Sequence, residues 1–264
     1  MPYRIDLRDA GDAILDSLVE LGALDVESSA GGILSALLPD SVTLDDVRRI
    51  PGIGDVTATP AVGRDDGSVW ILSPRPVRIG SLRLVPAHVA PEPGALRLID
   101  APAFGTGLHP TTALCLTALD EAVRHDPPAT VLDVGTGSGV LALGALTLGV
   151  PRATAVDVDA EALRIAADNA RLNGLEERLE LIHGTAETVA GRWPLVVANI
   201  LAAPLVEMAP VLTRRVGHQG LLILSGIHAS LEPDVARAYR HAGMRCVDVR
   251  SRESWVALVL LASW

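Results

Sequence analysis

The chain has 264 residues, 49% of them hydrophobic and 20% charged, enough to bury a sizeable core and too apolar for a disordered chain. Thirty-two acidic against 22 basic residues give a formal net charge of -10, which argues against bare nucleic acid as the main partner and suits a basic protein or a cationic ligand. Two cysteines, Cys115 and Cys246, are too few for a disulfide scaffold or a structural zinc site. With no apolar run of membrane-helix length and no apolar signal core after Met1, the expectation is a soluble cytoplasmic protein.

The first 60 residues alternate in type. Tyr3–Leu7 reads as a strand. Asp9 is placed to cap a helix carrying Ile14, Leu15, Leu18 and Leu21 on one face, and Gly22 to end it. Leu24–Ser28 and Ile33–Leu38 read as strands around Gly31-Gly32, Thr43 as the cap of a helix over Leu44–Ile50, and Val56–Thr59 as a last strand. The order β-α-β-β-α-β is that of a ferredoxin-like unit, assigned to residues 1–60. Residues 61–95, rich in proline and polar residues, read as a linker with short edge strands at Val77–Ile79 and Leu82–Val85.

From residue 96 to 264 strands and helices alternate, as in a mostly parallel sheet covered on both faces. Helices are expected near Thr112–Arg124, Val140–Leu148, Ala160–Leu172, Pro204–Thr213 and Pro233–His241. Strands are expected at Thr130–Val134, Ala153–Val156, Leu179–Ile182, Leu195–Ala198 and Leu221–Ser225, with two more at the end. The expected fold class is therefore α/β, a Rossmann-like sheet with a small N-terminal ferredoxin-like α+β domain. Ligands of such sheets sit at the carboxyl ends of the strands.

The most informative segment is Val131-Leu132-Asp133-Val134-Gly135-Thr136-Gly137-Ser138-Gly139, an apolar strand running into three alternate glycines and then a helix. Gly135, Gly137 and Gly139 permit a sharp turn and close approach of a ligand, and the helix start offers free N–H groups. The spacing G-x-G-x-G brings the third glycine one residue earlier than the dinucleotide fingerprint, which weighs against a nicotinamide-dependent oxidoreductase. Asp133 is an acid placed to meet a cationic amino group. Asp157 follows the next strand about 20 residues on, where a carboxylate reaches ribose hydroxyls.

VLDVGTGSG followed by AVDVD resembles the seven-stranded, S-adenosylmethionine-dependent methyltransferases. The segments AFGTGLHPTT (Ala103–Thr112), ANILAAPL (Ala198–Leu205) and LSGI (Leu224–Ile227) narrow the resemblance to the ribosomal protein L11 methyltransferase family. The resemblance spans most of residues 74–264 and is looser over the N-terminal unit. It implies S-adenosylmethionine as cofactor, with Thr112, Gly135, Asp157 and Asn199 at cofactor-contacting positions. It implies that Phe104 and Thr106 lie in a loop covering the cofactor and facing substrate, and that the N-terminal unit recognises the substrate, ribosomal protein L11. Thr136 stands where many members have cysteine, and Asp100-Ala101-Pro102 is one residue shorter than the usual stretch before AFGTG.

Methyl transfer to an amine is an in-line displacement in which the protein aligns the reacting atoms and excludes water. Asn199, at the end of an apolar strand, has a side chain suited to orient the donor or the incoming amine, and with Phe104 and Thr106 it makes up the catalytic set. Many enzymes that methylate planar base amines carry Asn-Pro-Pro-aromatic here; in this chain Ile200 and Leu201 follow Asn199, which implies that the slot for a flat base is missing. Few rings are available for stacking, and an aliphatic amine is the better substrate. The expected activity is protein N-methylation of lysine or N-terminal amines. Another protein or a small-molecule amine remains the alternative substrate, and a non-catalytic binding module the alternative class. His109 is a candidate general base. The seven histidines show no ligand spacing, so no metal is expected, nor direct nucleic-acid or membrane binding. The oligomeric state stays open.

Overall fold

The computed structural model describes all of the chain except residues 9, 30, 31, 55, 66, 68, 102–104 and 106 and the side chain of residue 12. The chain divides into two compact units, Met1–Pro74 and Arg75–Trp264. The first holds β1 (Tyr3–Arg8), α1 (Asp12–Glu20), β2 (Asp25–Ser28), β3 (Ile33–Leu38), α2 (Leu44–Arg48) and β4 (Ala58–Pro60). Their sheet order β2-β3-β1-β4, antiparallel throughout, is the ferredoxin-like arrangement anticipated from the element order. Alternation decides the faces. Ile5 and Leu7 of β1 are buried while Asp6 and Arg8 are exposed, and the inner face packs with Leu18, Leu38 and Val47. Thr43 and Asp46 form a reciprocal capping box at the start of α2. The observed N-cap of α1 is Gly11; the capping role expected of Asp9 and the Gly31 turn lie outside the described residues.

The second unit opens with β5 (Val77–Ile79), β6 (Leu82–Pro86) and β7 (Ala95–Leu98), a three-stranded sheet in that order with β6 and β7 parallel. The span 61–95 is thus divided between the units, and β5 and β6 belong to the larger one. Their apolar residues Ile79, Leu82 and Leu84 enter its core, which a linker would not do. The short strand β7, lying behind a run of prolines, has no counterpart in the sequence reading.

Then follow α3 (Pro110–His125), β8 (Thr130–Val134), α4 (Val140–Thr147), β9 (Arg152–Asp157), α5 (Ala160–Asn173), β10 (Leu179–His183), β11 (Trp193–Asn199), α6 (Ala202–Glu207), α7 (Ala209–Arg215), β12 (Val216–His228), α8 (Glu232–His241), β13 (Met244–Arg252) and β14 (Trp255–Ala262). The seven-stranded sheet runs β10-β9-β8-β11-β12-β14-β13, with β14 antiparallel to both neighbours. The chain moves outward from β8 through β9 and β10, then returns to β11 on the other side. The reversal at β8/β11 opens a crevice at the carboxyl ends of these strands. Strand alternation feeds two cores. Val131 and Val197 pack with α3 and α4, and Leu132, Val196 and Ala198 pack against α6 to α8. Helix α4 is buried on nearly all sides, as its unbroken apolar sequence requires.

Two helices differ from expectation for local reasons. Helix α3 begins at Pro110, because His109 caps it and proline suits the first turn. The single helix expected over Pro204–Thr213 is two, broken at Met208, because Pro210 lacks the N–H needed to continue α6 and instead sits in the first turn of α7. The β5–β6 turn is fastened to α3 by buried Asp120, which accepts from the Ser81 N–H at 3.1 Å and from the Ser81 hydroxyl. Asp120→Ala leaves that N–H without its partner and is expected to cost about 1–3 kcal/mol. Thermal denaturation checks this, and an unchanged Tm would contradict the anchoring role.

Candidate functional site

The glycine loop links β8 to α4. The N–H groups of Gly135 and Thr136 both donate to the Val156 carbonyl, at 2.9 and 3.1 Å, which binds the loop to the end of β9. Gly139, the N-cap of α4, has φ of +82°, and a Cβ there would lie 3.0 Å from that of Ala166 on α5. Glycine at this position therefore answers both to a left-handed turn and to close helix packing.

Asp133 sits beneath the loop, fully buried. Its Oδ2 accepts from the Thr136 hydroxyl at 2.7 Å and the Ala142 N–H at 3.1 Å; its Oδ1 is buried without a hydrogen-bond partner. Burial, partly offset by these two bonds and reinforced by nearby Asp157, pushes its pKa up to about 7. The residue expected to meet a cationic amino group thus fastens the loop to the first turn of α4 from behind.

A cavity of about 350 Å³ opens at the carboxyl ends of β8, β9 and β11, lined among others by Gly135, Gly137, Asp157, Glu161, Asn199 and Ile200. It lies within the size range of small-molecule sites, roughly 300–1,000 Å³. Asp157 joins two walls of the cavity. Its Oδ2 accepts from the Gly137 N–H at 2.9 Å and its Oδ1 from the Asp159 N–H at 3.0 Å, where Asp159 caps α5. Each carboxylate oxygen retains a second lone pair for a ligand hydroxyl.

Asn199 ends β11. Its Nδ2 donates to Thr112 Oγ1 at 3.4 Å, and its Oδ1 is buried without a partner. A Cβ on Gly226 of β12, at φ +83°, would come 2.2 Å from the Ile200 carbonyl oxygen, so only glycine lets β12 approach the turn after Asn199. His109, buried, uses Nδ1 against the Thr111 hydroxyl and N–H to cap α3, and its ring meets Trp255 edge-on with centroids 5.1 Å apart. Cys115 is buried in the core of α3, where burial pushes its thiol pKa up.

Of the residues singled out in the sequence, Gly135, Gly137, Asp157 and Asn199 share the cavity wall. Thr112 stands behind Asn199, and Asp133 and Gly139 stand behind the loop. Phe104 and Thr106 lie outside the described residues. Glu161 and Asn169 escaped the sequence reading, and Gly226 entered it only within the LSGI segment, with no role of its own. Buried Asn169 on α5 donates to the Ser138 carbonyl and accepts from the Ile99 N–H, both at 2.9 Å. Its signal in the sequence is the Asn169/Asn173 pair one turn apart on an amphipathic helix, since asparagine is a poor helix former that favours such positions when it has partners elsewhere.

The sheet order with its one antiparallel strand, together with the glycine loop and the cavity above it, defines the larger unit as a seven-stranded methyltransferase-type domain. A family model described as ribosomal protein L11 methyltransferase (PrmA) matches residues 63–262, and the chain belongs to that family. The ribosomal protein L11 methyltransferase of Chromohalobacter salexigens is 46% identical over 205 residues, covering 74% of this chain and 66% of its own length. That of Geotalea daltonii is 37% identical over 250 residues, covering 88% of this chain and 76% of its own. That of Pseudomonas aeruginosa strain LESB58 is 44% identical over 193 residues, covering 72% and 65%. The chain thus spans about two thirds of the length of most of these relatives. The crystal structure of a ribosomal protein L11 methylase from Lactobacillus delbrueckii subsp. bulgaricus matches with a TM-score of 0.65 at 30% identity, covering 70% of this chain and 97% of that one. No helix among the described residues is long and apolar enough to cross a membrane.

The raised pKa of Asp133 sets a sign for stability. Between the ordinary carboxylate pKa and about 7 the native state holds a proton that the unfolded chain has released, so Asp133 makes stability fall as pH rises through that window. Asp133→Asn keeps the shape without the charge. Its stability relative to the wild type is expected to rise from pH 4 to 7 and level off above. Denaturation midpoints of both proteins across that range check this, and parallel curves would contradict it.

Proposed function

We propose that this chain transfers methyl groups from S-adenosylmethionine to lysine or N-terminal amines of ribosomal protein L11. The observation that carries the reading is the convergence of the glycine loop, Asp157 and Asn199 on one cavity at the strand reversal of a chain that belongs to the L11 methyltransferase family. The residues present fit the donor. The cavity is of small-molecule size, Asp157 has acceptor capacity left for ribose hydroxyls, and the Asn199 Oδ1 is buried and unpartnered at the inner end. When bound, S-adenosylmethionine supplies a methyl carbon already activated on a sulfonium.

The work left to the protein is positioning. Gly135 and Gly137 let backbone approach the ligand, and Asp157 fixes its sugar edge. Asn199, steadied by Thr112, orients the donor or accepts from an N–H of the incoming amine. That amine must arrive neutral, and transfer out of water beside a positive charge lowers its pKa in the required direction. Phe104 and Thr106 are assigned to the substrate side by the family resemblance. The N-terminal unit is the substrate-recognition unit in this reading. Met1–Pro74 carries thirteen acidic residues and five arginines, a net -8 of the chain's -10. That charge suits a lysine-bearing, basic protein partner. A ribosomal-protein substrate supports a cytoplasmic setting in this reading.

The test is transfer of labelled methyl from S-adenosylmethionine to purified L11, with mass spectrometry of the product. L11 is expected to take up label at amines, and Asn199→Ala to lower kcat on the order of 100-fold through misalignment. Label on another cell protein or a small amine, with L11 untouched, would overturn the substrate.

A further inference from the structure

Helix α5 touches the glycine loop at two neighbouring points. Ala166 packs against Gly139, and three residues on Asn169, with no solvent exposure, donates from Nδ2 to the Ser138 carbonyl at 2.9 Å. The same asparagine accepts at Oδ1, also at 2.9 Å, from the N–H of Ile99, the residue after β7. Ser138 is itself buried, and its hydroxyl donates to the Gly105 carbonyl at 3.2 Å. One side chain therefore joins the loop between β8 and α4, the end of β7 and, through Ser138, the backbone of Gly105. Asn173, one turn further, bonds to both the N–H and the carbonyl of Arg97 but makes no bond to the loop among those described. Fastening α5 to β7 is thus already done by Asn173, and the bond to Ser138 is the part that Asn169 adds.

We propose that Asn169 is a positioning residue for the methyl-donor site, holding Ser138 and hence the Gly135–Gly139 loop in register with α5, whose N-cap Asp159 and first-turn Glu161 line the cavity. This rests on reading the cavity as the donor site. The geometry makes the two bonds separable. An aspartate at 169 keeps the acceptor for Ile99. When protonated it also keeps a donor for Ser138; when ionised it sets a negative oxygen against the Ser138 carbonyl.

The experiment is calorimetric titration of the full chain with S-adenosylmethionine, for the wild type and for Asn169→Leu, Asn169→Asp, Asn173→Ala and Asp157→Ala, with Tm recorded for each. Asn169→Leu is expected to weaken binding about tenfold, the worth of one well-placed buried hydrogen bond. Asn173→Ala is expected to lower Tm while leaving the Kd within about twofold of the wild type. The Kd of Asn169→Asp relative to the wild type is expected to grow as pH rises, and to return toward one in acid. A purely structural role predicts lower Tm at both asparagines and unchanged Kd. A Kd for Asn169→Asp within about twofold of the wild type above the pH at which its Tm profile shows the new carboxyl to be ionised would overturn the proposal, even if Asn169→Leu fails to fold. Failure of the donor-site reading looks different: the wild type would not bind, or Asp157→Ala would bind as well as the wild type, and the proposal would fall with it.

Discussion

A single backbone carbonyl organises the site. Val156, at the end of β9, accepts from two successive N–H groups of the glycine loop, Gly135 and Thr136. That shared acceptor draws the loop sideways onto the neighbouring strand. The next residue, Asp157, is thereby brought within 2.9 Å of the Gly137 N–H. A loop with side chains at Gly135 and Gly139 would meet Ile200 and Ala166 before it reached this position. The cavity, its carboxylate and its open backbone are consequences of one closely packed turn.

The supports of that turn come from behind rather than from the cavity. Asp133 braces the loop against α4 and is left with a buried, unpartnered oxygen, at a cost that shows as a pKa near 7. Asn169 braces it against α5. Both are polar groups placed where an apolar residue would pack more easily, and both fix backbone next to a ligand site. Rigidity of this kind suits a reaction in which the donor is already activated and alignment is the main service the protein renders.

The sheet was legible because its strands obey simple alternation and its central turn has few sequence solutions. Asp157 and Asn199 could be placed because each follows an apolar strand by a fixed offset. What stayed hidden depended on contacts distant in sequence. The part played by Asp133 follows from which way the loop folds over α4. Asn169 acts on Ser138 and Ile99, 31 and 70 residues away. Gly226 owes its identity to the backbone of Ile200. Pro210, by contrast, is in plain view and breaks the helix as its chemistry requires, where the apolar pattern alone predicts one continuous helix.

The central claim is that this cavity binds the methyl donor through Asp157. Calorimetric titration of the purified chain with S-adenosylmethionine and with NADH, in the wild type and in Asp157→Ala, tests it most directly. The account predicts saturable S-adenosylmethionine binding that is lost or strongly weakened in Asp157→Ala, with no comparable response to NADH. Preference for NADH, or S-adenosylmethionine binding indifferent to Asp157, would contradict it.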